Sequence, residues 1–209
     1  MRVYHFINSE YGLKDLRERR LKISRIMELN DPFEFLGADL SNREFRKAMK
    51  ATKKALSKTR GILCFSANWT NPVQWTHYAD RHRGICLGFD IPDDHLSKVD
   101  YAPERLSANG KITEDLMLKF LTTKFIHWAY EEEYRLFLAL EQEENGLFYV
   151  DFSEDIKLSQ LIIGAHSSVT RAEVKEALGE GMAGVEVFKA RAAFRRFEIV
   201  RNRNEKLWS

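Results

Sequence analysis

The chain has 209 residues, 44% of them apolar and 31% charged, with a formal net charge of only +2. That length supports one sizeable hydrophobic core, and so small a net charge excludes a global polycationic surface for nucleic acid while leaving room for a local basic patch. The amino terminus, Met1-Arg-Val-Tyr-His-Phe, lacks the apolar stretch of a signal peptide and no segment reaches the length of a membrane span, which predicts a cytoplasmic protein without a membrane partner.

The first elements are a β-rich run at Val3–Ile7, a helix capped by Asn8-Ser9 and carrying Leu13 and Leu16, and a second short strand at 21–24. Asn30-Asp31-Pro32 breaks regular structure, because proline fixes its own φ and restrains the residue before it. Residues 41–58, with Phe45, Met49 and Leu56 among lysines, predict an exposed amphipathic helix. A buried strand follows at 61–66, then a short helix opened by Asn71-Pro72, and another strand at 84–90. Cys64 and Cys86 stand inside these apolar strands and are expected as buried thiols.

Residues 113–126 predict a helix, 128–140 a long strand, and 146–152 and 158–164 two further strands. Thr170 with Glu173 forms a capping-box pattern before a helix at 171–178, and the alternation in 185–189 and 194–200 predicts two half-exposed strands. No repeat, low-complexity stretch or linker divides the chain. The expectation is a single α+β domain over residues 1–209, with a mostly antiparallel or mixed sheet and flanking helices.

Three separated segments concentrate polar chemistry: NDPFE at 30–34, WTHYAD at 75–80 and YEEEYR at 130–135. On a strand, Glu131, Glu133 and Arg135 share one face, and two carboxylates so close repel each other unless a cation or a desolvated pocket separates their titrations. Such a pair suits general-base or cation-stabilising work; a solvated Glu/Arg face is the alternative. Asn30, Asp31 and Glu34 fit either an Asx-turn or a site lining. Trp75 and Tyr78 share a helix face and fit either core packing or a stacking platform.

His77 and His82 do not share a face, so they make no zinc pair, and neither a phosphate-binding glycine loop nor a nucleophile elbow occurs. A metal-dependent phosphodiesterase would draw its ligands from Asp31, Glu34, Glu131 and Glu133. The stretch Lys189–Arg203 interleaves arginines with phenylalanines, which fits either a charged edge strand or a surface gripping a phosphate backbone.

The order NDPFE, CFS, W-x-x-YAD, GICLGFD and W-x-YE-x-EYR, spanning Tyr4 to about Gly164, resembles a widespread bacterial family catalogued as domain of unknown function twenty-nine seventy-one. More distantly, Tyr4-His-Phe-Ile-Asn8, the leucine-bearing helix and Leu21-Lys-Ile-Ser resemble the start of small ADP-ribosyltransferases of toxin–antitoxin type. This second resemblance implies an ADP-ribosyltransferase-like fold and an enzyme that uses NAD as substrate, in a toxin or phage-defence setting. A nucleic-acid or protein acceptor and an antitoxin are the partners implied. It further implies that His5 orients the nicotinamide ribose, Trp75 or Tyr78 stacks on nicotinamide, Ser66 lines the pocket and Glu133 or Glu131 is catalytic. From another class, a non-catalytic nucleic-acid-binding or protein-interaction module fits the C-terminal arginines.

Overall fold

A computed structural model describes residues 1–107, 113–141, 143–179 and 184–208. Its elements in chain order are β1 (Arg2–Ile7), α1 (Ser9–Glu18), β2 (Arg20–Arg25), α2 (Arg43–Leu56), β3 (Arg60–Ser66), α3 (Pro72–Tyr78), β4 (Ile85–Asp90), β5 (Ser97–Lys98), β6 (Asp100–Ala102), α4 (Glu114–Leu121) and β7 (Thr123–Phe125). A 3-10 helix at Ile126–Glu131 leads into β8 (Glu133–Ala139), followed by β9 (Glu143–Glu144), β10 (Leu147–Asp151), β11 (Lys157–Ile163), α5 (Arg171–Leu178), β12 (Glu186–Ala192) and β13 (Ile199–Arg201). The chain is α+β, and no helix among the described residues is long and apolar enough to cross a membrane.

Local chemistry explains most of the boundaries. The side chains of Asn8, Asn42 and Thr113 each accept a backbone N–H three residues on, satisfying donors that a helix start leaves open. Thr170 and Glu173 exchange such bonds reciprocally, as the capping-box pattern predicts. Pro72 takes the first turn of α3, where its missing N–H costs nothing.

Two predicted strands are corrected. Residues 126–131 wind as a 3-10 helix that stops at Glu132 in the left-handed region (φ 45°), so the long strand expected from 128 begins only at Glu133. The second C-terminal strand shrinks to Ile199–Arg201, with Phe194–Phe197 in the connecting loop.

Contacts group the chain into two compact units, each assembled from segments distant in sequence, which is why no linker marks them. The first comprises Met1–Leu21, Phe65–Asp93 and Val150–Ser209. Its sheet runs β13-β12-β11-β4-β1, antiparallel except for the parallel β11–β12 pair. Trp75, Cys86, Ile162, Phe188 and Ile199 form a core beside this sheet, and α1 packs on α5. Gly84 is required by close approach, because a Cβ there would stand 2.2 Å from the Ile7 carbonyl oxygen. The second unit comprises Lys22–Cys64 and Asp94–Tyr149, with a core of Ile26, Phe35, Met49, Ile62 and Phe120, and strand pairs β2–β3, β5–β8 and parallel β6–β7.

Asp15, on α1, is 6% exposed. Burial first, and then the neighbouring Glu18 carboxylate, push its carboxyl up to about 7. Between its ordinary 3.8 and about 7 the folded chain keeps a proton that the unfolded chain has released, so this group removes stability as pH rises through that window. Asp15→Asn is therefore expected to stabilise the protein by about 2 kcal/mol at pH 8, a figure discounted for partial solvent screening, and by nothing below pH ~4. Urea unfolding of both forms across that pH range checks the sign.

Candidate functional site

The second unit gathers a buried ionic network from two of the three segments. Asp31 opens the NDPFE turn, and its Oδ1 accepts the Phe33 N–H at 2.8 Å, the expected Asx-turn. Phe35 then takes a left-handed conformation (φ 64°). The turn buries Asp31 and Glu34 and leaves Asn30 and Phe33 exposed. Ala38 bridges to Leu106, which ties this loop to the segment that follows β6.

Strand alternation places Glu133 and Arg135 on one face of β8, and the end of the 3-10 helix brings Glu131 to the same place by a different route. Arg135 is 0% exposed. Its Nε donates to Glu133 Oε1 at 2.8 Å, its Nη2 to Glu34 Oε1 at 2.8 Å and to Glu133 Oε2 at 3.2 Å, and its Nη1 to the Leu121 carbonyl at 2.6 Å. Lys124, on β7, points its Nζ at Glu131 Oε2 (2.6 Å), Glu133 Oε2 (3.2 Å) and Glu34 Oε1 (3.4 Å) and lies 4.9 Å over the Trp128 ring.

Burial opposes charge on Glu133, Lys124 and Arg135, and the opposite charges outweigh it. Burial alone raises the Glu133 carboxyl, but Arg135 and Lys124 bring it down to about 2. Glu133 therefore contributes stability that is fully present above its ordinary 4.5 and is lost as pH falls toward about 2. Burial lowers Lys124 and Arg135, yet the carboxylates hold both above their ordinary values. Burial raises the Cys64 thiol well above its usual range, with Glu133 adding to the effect. The Tyr101 hydroxyl accepts the Glu133 N–H at 2.8 Å, and burial pushes its ionisation up to about 12.

Beside this network lies a cavity of about 410 Å³. Asp31, Glu34, Glu104, Arg105, Thr123 and Lys124 contribute its polar lining, and Phe33 and Phe125 its aromatic walls. The Arg105 guanidinium sits 5.2 Å over the Phe33 ring. Asp31 Oδ2 and Glu34 Oε2 are both buried and meet no hydrogen-bond partner. An unpaired buried carboxylate oxygen costs several kcal/mol in a low-dielectric surrounding, so each is an acceptor whose donor the fold itself does not supply.

The sequence-expected residues divide. Glu131, Glu133, Arg135, Asp31 and Glu34 converge in the second unit, with Asn30 on its surface; His5, Ser66, Trp75 and Tyr78 belong to the first. Trp75 is no stacking platform: it is 0% exposed, donates its indole N–H to the Trp69 carbonyl at 2.6 Å and meets Phe6 edge-on. Ser66 is likewise occupied, donating to the Asn68 carbonyl and accepting from Gln74. His5 meets Phe65 edge to face at 5.8 Å, and Tyr78 meets His77.

Lys124 is absent from the sequence-expected set. Its only signal is a single cation among the apolar and hydroxyl residues of Phe120–Ile126, and it occupies the position between Glu34, Glu131 and Glu133 where a phosphodiesterase would need its divalent ion. Among the described residues no three His, Cys, Asp or Glu side chains are grouped to hold a metal ion. No family model matches the chain, and neither does any curated protein or solved structure.

Proposed function

We propose that the chain is an NAD-dependent ADP-ribosyltransferase of toxin or phage-defence type, with an ADP-ribosyltransferase-like fold, and that NAD is consumed at the cavity of the second unit. One observation carries this reading: Asp31 and Glu34 line a cavity of nucleotide-fragment size while each keeps a buried carboxylate oxygen without a partner. Ribose hydroxyls are donors of the kind those oxygens lack. Phe33 and Phe125 suit a planar ring, and Arg105 and Lys124 suit a pyrophosphate.

The chemistry follows from the charge balance. Three carboxylates, Glu34, Glu131 and Glu133, face Lys124 and Arg135; Asp31 adds a negative group beside them and Lys53, whose Nζ donates to the Glu34 carbonyl at 2.6 Å, a positive one. Cleavage of the glycosidic C–N bond sends its electron pair to nicotinamide and leaves positive charge on the ribosyl carbon. A carboxylate held against that carbon stabilises the state. The acceptor's oxygen or nitrogen, or water, then bonds to the carbon and releases its proton. In this reading Glu34 and Asp31 face the reacting sugar, and Glu131 and Glu133, engaged by Lys124, hold the network.

Calorimetric titration with NAD, followed by chromatographic detection of released nicotinamide, tests the proposal. Binding and slow hydrolysis by the parent chain are expected, with the hydrolysis slowed about 10² to 10³-fold in Glu34→Gln. A protein that neither binds nor consumes NAD would overturn it.

A further inference from the structure

The C-terminal part of the first unit carries a surface that the cavity of the second does not involve. β12 and β13 pair antiparallel, with Arg191 opposite Val200, and the loop between them closes through the Ala193 N–H to the Glu198 carbonyl at 2.9 Å. On that loop Phe194 is 89% and Phe197 102% exposed. Most large apolar side chains among the described residues are buried or half-buried, so two phenylalanines on one loop left in water are a feature folding does not require.

Arginines surround them. Arg191, Arg195, Arg196, Arg201 and Arg203 line a hollow of about 460 Å³ with Phe194, and the Arg191 guanidinium lies 4.2 Å over the Phe194 ring. Arg196 pairs with Glu198 and Arg201 with Glu186. Among the described residues Arg195 and Arg203 meet no carboxylate, and Arg191 donates only to the Ala192 carbonyl.

We propose that this loop and hollow bind single-stranded nucleic acid, with Phe194 and Phe197 stacking on unpaired bases and Arg191, Arg195 and Arg203 meeting phosphates. Charge and shape together select this occupant. Every cation in 191–203 is arginine, whose planar fork matches phosphate oxygens and stacks on rings, as Arg191 already does on Phe194. An anionic lipid surface is served equally by lysine and needs no hollow. A duplex keeps its base faces stacked away from the rings, whereas a single strand presents them. The chain's net charge of +2 gives no general polyanion affinity, so binding must be local. The inference is independent of the NAD reading.

Fluorescence anisotropy with a labelled twelve-nucleotide oligo-uridine, its duplex counterpart and phosphatidylserine vesicles tests it on the full chain. The single strand is expected to bind best. Phe194→Ala with Phe197→Ala should weaken it at least tenfold with an unchanged salt slope. Arg195→Gln with Arg203→Gln should flatten the slope of log affinity on log salt by about 1.4. These side chains are exposed, and circular dichroism confirms that the variants fold. Failure to bind the single strand, binding indifferent to the phenylalanines, or a preference for vesicles would each overturn the proposal.

Discussion

Replacing Arg135 by methionine is expected to cost the fold about 4 kcal/mol, a fall of about 10 °C in Tm for a chain of this length. Methionine fills part of the same volume, so the loss is electrostatic. The guanidinium answers Glu133 twice, Glu34 once and the Leu121 carbonyl, with no exposed surface through which water could replace it. Without it, three buried carboxylates face Lys124 alone. Breaking such a set by removing one partner strands an uncompensated charge, which is worth far more than the pair itself contributes. The solvated strand face that the sequence also allows predicts under about 1 kcal/mol. Urea unfolding separates the two. Arg135→Lys keeps the charge but loses the fork and should fall between, at about 2 kcal/mol. A loss below about 1 kcal/mol for Arg135→Met would contradict the buried network.

What can be read from the sequence follows the range of the forces concerned. Caps act over three residues, so Asn8 and Thr170 announce α1 and α5. Pro72 and the apolar runs of β3 and β4 are equally local signals. Aromatic residues mislead where burial decides their role: Trp75 fits a ligand platform in sequence but fills a core, whereas Phe194 and Phe197 fit a half-exposed strand but stand in solvent. Residues 126–131 carry strand-favouring aromatics but wind up, and Glu131 reaches the site regardless. NDPFE and YEEEYR are visible as motifs. That Glu34 meets Arg135, 101 positions later, is not, because nothing local encodes a contact across that separation. Lys124 is hidden for the same reason, since its role exists only once three carboxylates converge on it.

The contrast between Glu34→Gln and Glu133→Gln separates a carboxylate that acts from one that holds. Both changes keep shape and remove one negative charge. Every oxygen of Glu133 is engaged by Arg135 or Lys124, and its titration lies at about 2, so neutralising it should cost about 3 kcal/mol at pH 7. That cost should shrink as pH falls below its ordinary 4.5, where the unfolded chain's glutamate is already protonated. Glu34 answers Arg135 at 2.8 Å and Lys124 at 3.4 Å, both through Oε1, and its Oε2 has nothing to lose. In Glu34→Gln the new side chain's amide oxygen can retain the first contact, so the stability loss should stay near about 1 kcal/mol. Turnover is the opposite case. If Glu34 faces the sugar, deleting its charge should slow nicotinamide release about 10² to 10³-fold, the usual cost of removing one preorganised electrostatic group. Glu133→Gln, assayed well below its own Tm, should slow it less than about tenfold. Equal losses of turnover in the two variants would place the charge of the whole network, and not Glu34, at the reacting carbon. Turnover lost in Glu133→Gln alone would return the catalytic role to the YEEEYR segment.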